Sequence, residues 1–276
     1  ESIMQAIELN GAAVAMNQQA FVWGRHAAVD RVMVEKIAFP QVREAIKLAN
    51  QTLDEFIARR VADLTQYQDA AYAARYSAMV DKVRNAERRV APESELLTWA
   101  AARAYFKVLA YKDEYEVARL YTDGEFRKQL AEQFDGSYTL NFSLGPTWLQ
   151  WLAKNGQAKK FKLGGWVMGA FGMLAKMKGL RGGKLDLFGY AEDRKMERRL
   201  ITEFEQGLET LLAGLSGEKL AQAADIVGLI QQIRGYGHIK LAAYDTVKRD
   251  WDAKLKQYQG TAASAAAAAK PAPVRL

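Results

Sequence analysis

The sequence contains no cysteine and only two histidines. The lack of cysteine excludes a disulfide framework, a thiolate nucleophile and an iron–sulfur cluster held by this chain's own thiolates. Two histidines without cysteine cannot build an ordinary structural zinc site. They also give no basis for arguing a Ser-His-Asp triad. The sequence therefore shows no direct catalytic machinery.

Long apolar runs are also missing. The best candidate, Trp166 to Leu174, is interrupted by Gly169 and Gly172 and falls far below the roughly 20 residues that a bilayer requires. No signal peptide is visible, and the lack of cysteine fits a reducing compartment, so we expect a cytoplasmic protein without a membrane span. Because the sequence opens on Glu1 within a helical pattern, we expect a processed chain or a piece of a longer polypeptide.

The excess of positive charge is mild. The chain of 276 residues has 39 basic and 32 acidic residues, and half of its residues are hydrophobic. The basic residues are spread among acidic ones, without a dense stripe or an RNA-binding motif, so we expect no nucleic-acid partner. An acidic partner, an anionic ligand or ordinary solubility explains the charge better. The length permits one large domain or two smaller ones.

Apolar residues recur at helical spacing along most of the chain. The clearest pattern predicts one continuous helix of about six turns. Its apolar stripe consists of Leu97, Ala101, Ala104, Val108, Tyr111, Tyr115 and Ala118. A second pattern predicts a single long helix from Phe56 to about Arg89, preceded by a capping box of Thr52 and Glu55. The last predicted helix ends near Tyr258.

One stretch alternates as a strand does. Polar and apolar residues alternate from Ser137 to Leu144, which predicts a strand with one buried face. Its best local partner is Lys159 to Leu163, although another chain could supply the partner instead. The predicted fold is therefore mainly α: a multi-helix domain with a small β-ribbon near residues 137–163. The alanine-rich segment 259–276, with two prolines, is predicted to be a flexible tail.

Two basic corners carry the candidate functional residues. The first is the glycine-rich loop that follows the predicted helix at 166–178, and the second is the sequence RGYGHIK. The candidates for anion binding or for a protein interface are Arg181, Lys184, Tyr190, Arg234, His238 and Lys240. The first loop is not a phosphate-binding loop, because position 185 is leucine and no strand precedes it. The two corners could pair in space.

Three segments together resemble a known family. They are Ala110–Asp123 (AYKDEYEVARLYTD), Lys178–Ile201 (KGLRGGKLDLFGYAEDRKMERRLI) and Ile233–Lys240 (IRGYGHIK). These segments are similar to the C-terminal region of long, single-chain indolepyruvate ferredoxin oxidoreductases, a branch of the 2-oxoacid:ferredoxin oxidoreductases. The opening sequence IELNGAAVAMNQQAFVWGR resembles the end of that family's gamma-type catalytic domain. The similarity runs over most of residues 1 to about 245.

The resemblance implies a domain plan. Residues 1–30 would form the C-terminal end of a gamma-type oxidoreductase domain, and residues 31–90 would form a helical connector. Residues 91–258 would form a helical C-terminal domain that contains the ribbon, followed by the tail.

The resemblance also implies an activity for the whole enzyme. Such enzymes oxidatively decarboxylate an aryl 2-oxoacid to an acyl-CoA and reduce ferredoxin, with thiamine diphosphate, Mg, coenzyme A and iron–sulfur clusters. This chain has no GDG-type diphosphate and metal motif and no cysteine for clusters, so those parts must lie in other sequence or subunits. We therefore expect a non-catalytic helical segment or subunit that binds no cofactor alone.

The expected partners are the enzyme's remaining domains or subunits, and ferredoxin through the whole enzyme, in an oligomer. Two alternatives stay open. The chain could be an anion- or coenzyme A-binding module, or a helical interaction scaffold without an enzymatic role.

Overall fold

The computed structural model describes residues 1–38, 51–134, 136, 138–144 and 161–268. Helices contain 77% of the described residues, in twelve α-helices and a few short 3₁₀ turns, beside one two-stranded sheet. This arrangement confirms the predicted mainly α fold with a small β-ribbon. None of these helices combines the length and the apolar character needed to cross a membrane.

The chain forms two compact units, residues 1–56 and 57–276. The predicted boundaries after residues 30 and 90 fall inside these units. The first unit contains α1 (Ser2–Asn10), α2 (Val14–Val29), α3 (Arg31–Ala38) and the start of α4 (Leu53–Tyr67). Helix α1 ends at Gly11, whose φ of 66° is the left-handed conformation that glycine adopts without strain.

The second unit contains the rest of α4 and all later elements. The helices are α5 (Ala70–Val90), α6 (Leu96–Leu109), α7 (Glu114–Thr122), α8 (Glu125–Gln133), α9 (Val167–Lys176), α10 (Glu192–Ala213), α11 (Leu220–Gly228) and α12 (His238–Ala268). Short 3₁₀ turns cover Met177–Leu180, Gly217–Lys219 and Leu229–Gln232.

Helix α6 is the centre of the second unit, packed against α5, α10 and α11. A row of stacked rings crosses this core, because Tyr105 on α6 stacks on Tyr76 of α5 on one side and on Phe204 of α10 on the other. Trp251 of α12 continues the row beyond Phe204. Large aromatic surfaces packed in this way dominate the energetics of a core.

The long helix predicted from Phe56 to Arg89 is wrong as a single element. The structure breaks it into α4 and α5 between Tyr67 and Ala70, where Asp69 accepts a hydrogen bond from the backbone N–H of Tyr72 at 2.8 Å. An aspartate at the N-cap satisfies a backbone donor at the start of the new helix, and this stabilisation offsets part of the cost of ending the preceding helix.

The capping box that precedes α4 is confirmed. The Glu55 N–H donates to Thr52 Oγ1 at 3.2 Å, and the Thr52 N–H donates to Glu55 Oε2 at 2.8 Å. Two backbone donors at the helix start are thereby satisfied reciprocally.

The continuous helix predicted across Leu97 to Ala118 is also two elements, α6 and α7. The break falls between Leu109 and Glu114, and Asp113 caps α7 by accepting from the Glu116 N–H at 2.8 Å. All seven residues of the predicted stripe are nevertheless buried. The periodicity correctly indicated the buried face, but two helices can share one apolar face without being continuous.

The β-ribbon forms within this chain. Strand β1 (Asn141–Leu144) pairs antiparallel with β2 (Phe161–Gly164), which confirms the predicted local partner for residues 161–163. Lys159 and Lys160, where the predicted partner began, lie outside the described residues. The strand is shorter than predicted at its start, and Ser137 lies outside the described residues. Phe142 of β1 packs with Phe171 of α9, which attaches the ribbon to the helices.

The last helix is longer than predicted. Tyr258 is fully buried and its hydroxyl donates to the Leu211 carbonyl at 3.0 Å, but α12 continues to Ala268. Alanine has the highest helix propensity of all residues, which favours this continuation into the segment predicted as a tail. Residues 269–276 lie outside the described part of the chain.

Candidate functional site

The first basic corner folds around a buried aspartate. Asp186, 3% exposed, accepts hydrogen bonds from the Gly182 N–H at 2.7 Å, the Gly189 N–H at 3.0 Å and the Tyr115 hydroxyl at 3.1 Å. A side chain at position 189 would begin 2.5 Å from the Asp186 carboxylate, so this close approach requires glycine. The loop is therefore held as a defined turn between α9 and α10.

Arg181 points inward from this loop. Its side chain is 5% exposed, and it forms a two-pronged ion pair with Asp113, with distances of 2.5 Å from Nε to Oδ2 and 3.0 Å from Nη2 to Oδ1. Nη1 donates to the carbonyl of Tyr67 and to Gln68 Oε1, both at 2.7 Å. The guanidinium also lies 3.7 Å from the centre of the Tyr67 ring.

The charge of Arg181 is therefore compensated within the protein. Burial by itself would lower the pKa of Arg181, but the hydrogen bonds to Asp113 and the neighbouring charges outweigh burial and raise it. The sequence prediction offered Arg181 as an anion-binding or interface residue. The structure instead places its guanidinium in an internal ion pair, with each of its nitrogens engaged.

A second set of buried charges joins the two corners. Arg194, at the start of α10, donates to Glu197 Oε2 at 2.5 Å and lies 3.5 Å from Glu114 Oε2. The other oxygen of Glu197 accepts a hydrogen bond from the ammonium of Lys240 on α12. Burial disfavours the charged form of Arg194, but Glu197 and Glu114 more than compensate and raise its pKa. We call Asp113, Glu114, Arg181, Arg194, Glu197 and Lys240 the buried ionic network.

The second corner contains a cation that the sequence prediction missed. Lys107 of α6 donates to the carbonyls of Ile230 at 3.1 Å and Gln231 at 2.7 Å. The exposed Arg234 donates from Nε to the same Gln231 carbonyl at 3.1 Å. Burial, together with the charges of Arg234 and Lys240, lowers the pKa of Lys107 to about 8.

The remaining predicted residues lie at the surface. Lys184, Tyr190 and His238 are exposed, and the Tyr190 hydroxyl donates to the Lys184 carbonyl at 2.9 Å. The structure thus places Arg181 and Lys240 in the buried ionic network and leaves the other four side chains outside it. No signal in the sequence marked Lys107, because it lies among ordinary helix-flank residues and its partners are more than 120 residues away.

Among the residues that the structure describes, no group of three or more histidine, cysteine, aspartate or glutamate side chains is arranged to hold a metal ion.

Comparison with known proteins gives one family match. The model of a family described as a family of unknown function (DUF6537) matches residues 53–253, a range that contains all three segments of the resemblance and both basic corners. The comparisons with curated proteins and with solved structures found no significant match. Since the match covers well over half of the 276 residues, the chain belongs to the DUF6537 family.

Proposed function

We propose that this chain is a non-catalytic helical segment or subunit of an indolepyruvate-type 2-oxoacid:ferredoxin oxidoreductase. The observation that carries the proposal is the convergence of the three segments on which the resemblance rests. Asp113 comes from the first segment, Arg181 and Glu197 from the second, and Lys240 from the third. Because removing one member of a buried ion pair is strongly destabilising, the three segments depend on one another in the folded chain.

The role of the buried ionic network is structural. Arg181 and Asp113 pair with each other, and Glu197 binds Arg194 and Lys240, so these charges stabilise the junction of α7, α10 and α12. In the proposed enzyme, thiamine diphosphate, Mg, coenzyme A and the iron–sulfur clusters are bound by other domains or subunits. This chain supplies a rigid helical body beside them, in a cytoplasmic oligomer that reduces ferredoxin.

The surface of the first unit supports a docking role. Helices α1 and α2 contain no buried residue. Met16 and Trp23, seven residues apart on one face of α2, are 65% and 43% exposed, and Leu9 of α1 is 87% exposed. Exposed apolar side chains grouped in this way are typical of an interaction surface. The remaining parts of the oxidoreductase are the partner that we propose for this surface.

The proposal is tested on material purified from its natural source without oxygen. Native mass spectrometry is expected to find this chain in one assembly with thiamine diphosphate and iron–sulfur clusters, either in the same polypeptide or in a separate subunit. The assembly is expected to reduce ferredoxin when an aryl 2-oxoacid and coenzyme A are both present.

A chain that purifies in an assembly without thiamine diphosphate, or alone and without this activity, would overturn the proposal. The first of these two results would favour the helical interaction scaffold instead.

A further inference from the structure

The charges of the buried ionic network balance, but those beside it do not. Arg181 is paired with Asp113, while Arg194 and Lys240 face Glu197 and Glu114. Lys107 and Arg234 lie outside these pairs. Neither forms an ion pair with a carboxylate in the part of the chain that the structure describes, so the second corner carries two uncompensated positive charges.

These two charges are close together. Lys107 Nζ and Arg234 Nε both donate to the Gln231 carbonyl oxygen, at 2.7 and 3.1 Å, so the two nitrogens lie no farther apart than the sum of these distances. Like charges at this separation repel each other, and partial burial weakens the screening by water. Burial is the main cause of the lowered pKa of Lys107, and the positive charges of Arg234 and Lys240 lower it further.

The corner also has free hydrogen-bond donors. The two terminal nitrogens of Arg234 have no partner within the described ranges, and this side chain is exposed. Lys107 has three ammonium hydrogens, of which two serve the carbonyls of Ile230 and Gln231. Helix α12 begins four residues after Arg234, and the positive end of its dipole adds to the local potential.

We propose that Lys107 and Arg234 form a binding site for a phosphate-type dianion, either free phosphate or the phosphate group of a small metabolite. A guanidinium fork and an ammonium group from different elements can engage different oxygens of a tetrahedral anion. A dianion would also neutralise both charges of the corner. Arg181 does not take part, because its guanidinium is engaged by Asp113. This site is independent of the enzyme proposed above.

The test uses Lys107 itself as the probe. At pH 8 the lowered pKa leaves a substantial fraction of this amine neutral, so acetic anhydride should acetylate Lys107, and mass spectrometry of peptides measures the rate. A bound dianion favours the protonated amine. A rise of about one unit in the pKa would slow acetylation about fivefold at pH 8.

Orthophosphate, pyrophosphate and glycerol 3-phosphate are added separately to the full chain, against sodium chloride at equal ionic strength. At least one of the three phosphates is expected to slow acetylation of Lys107 about fivefold relative to chloride. The exposed Lys82, which pairs with Glu209, serves as an internal reference whose rate should stay constant. Stronger protection by orthophosphate identifies free phosphate as the ligand, and stronger protection by either of the other two identifies a phosphorylated molecule.

Arg234→Gln is expected to abolish the protection. Arg249→Gln is the matched control, because Arg249 is also exposed and its Nε also donates to a backbone carbonyl, that of Asp245 at 3.2 Å. The control should keep the protection. Thermal unfolding of both variants verifies that they are folded, as expected for exposed positions. The proposal would be overturned if none of the phosphates slowed the acetylation of Lys107, or if chloride slowed it equally. It would also be overturned if the protection persisted in Arg234→Gln.

Discussion

At the scale of single residues, Arg181 and Asp113 show how a buried charge is tolerated. Their side chains are only 5% and 3% exposed. Transfer of both charges from water is unfavourable, and it is offset only when the pair is well aligned and the remaining donors and acceptors are also satisfied. Arg181 meets this condition through Tyr67 and Gln68, and Asp113 meets it through the backbone of Glu116.

We predict that Arg181→Met lowers the free energy of unfolding by about 3–5 kcal/mol, because Asp113 would remain buried without its partner. Asp113→Asn should also be destabilising. The loss of free energy of unfolding in the double variant should be smaller than the sum of the two single losses, because no unpaired charge stays buried in the double variant. Urea denaturation of the four proteins measures this coupling. Strictly additive losses would show that the two side chains do not stabilise each other.

A surface pair provides the control for this cycle. Lys82 and Glu209 are 53% and 47% exposed, and water screens their attraction. Lys82→Met should therefore change the free energy of unfolding by no more than about 1 kcal/mol.

At the scale of secondary structure, the start of α6 is capped by a residue of the preceding helix. Glu87 of α5 is fully buried, and its carboxylate accepts from the N–H groups of Leu97 and Thr98 at 3.0 and 2.8 Å. It also accepts from the hydroxyls of Ser94 and Thr98, at 2.8 and 2.6 Å. Glu95 occupies the N-cap position itself but makes no capping hydrogen bond with its side chain.

We predict that Glu87→Ala lowers the free energy of unfolding by about 2 kcal/mol or more, because buried donors at the start of α6 would lose their acceptor. Glu95→Ala, the matched control nearby, should change it by less than about 0.5 kcal/mol. Chemical denaturation measures both changes. Equal losses for the two variants would mean that the cap from Glu87 does not stabilise the junction of α5 and α6.

Two glycines within helices should respond to alanine with opposite signs. Gly207 of α10 faces the Trp251 indole of α12 so closely that an added Cβ would overlap the ring, whereas nothing lies within 4 Å of a Cβ added at Gly172 of α9. Gly172→Ala should stabilise the protein by about 0.5–1 kcal/mol, as expected from helix propensity. Gly207→Ala should destabilise it by about 1–3 kcal/mol in spite of the same gain in helix propensity, because the added Cβ would overlap the Trp251 ring.

Thermal unfolding of the two glycine variants provides the measurement. A stabilised Gly207→Ala variant would contradict the close packing of α10 against α12.

At the scale of the whole molecule, the two compact units differ in how they bury their helices. Helices α5, α6, α10 and α11 of the second unit each contribute several buried apolar side chains. Helices α1 and α2 of the first unit contribute none. This exposed apolar surface is where we propose that the first unit binds another polypeptide segment.

We predict that Met16→Asp disrupts the proposed assembly. Burial of a methionine side chain contributes about 1.5–3 kcal/mol, so its replacement by a charge should weaken association by at least about tenfold. Ala15→Asp is the control, because it places the same charge on the neighbouring exposed position, about 100° around the same helix. Gel filtration and native mass spectrometry measure the associated fraction, and circular dichroism verifies the helix content. Equal association of the two variants would remove this face from the interface.

The sequence predicted the helical fold, the small ribbon and the buried stripe from Leu97 to Ala118. These features depend on the spacing of apolar residues that are close together in the chain. It did not predict the break before Asp113. That residue ends the linker between α6 and α7 because it caps α7 and also pairs with Arg181, 68 residues later in the chain. A contact between positions so far apart has no signature in local spacing.

What the sequence determined by itself is the helical class, the apolar faces of the helices and the absence of cysteine chemistry. Only the tertiary structure decided which cations are compensated. Arg181 and Lys240 find carboxylates on other elements, whereas Lys107 and Arg234 converge on one carbonyl without a carboxylate among the described residues. Charge compensation depends on the distance between side chains, and folding alone sets that distance for residues far apart in the chain.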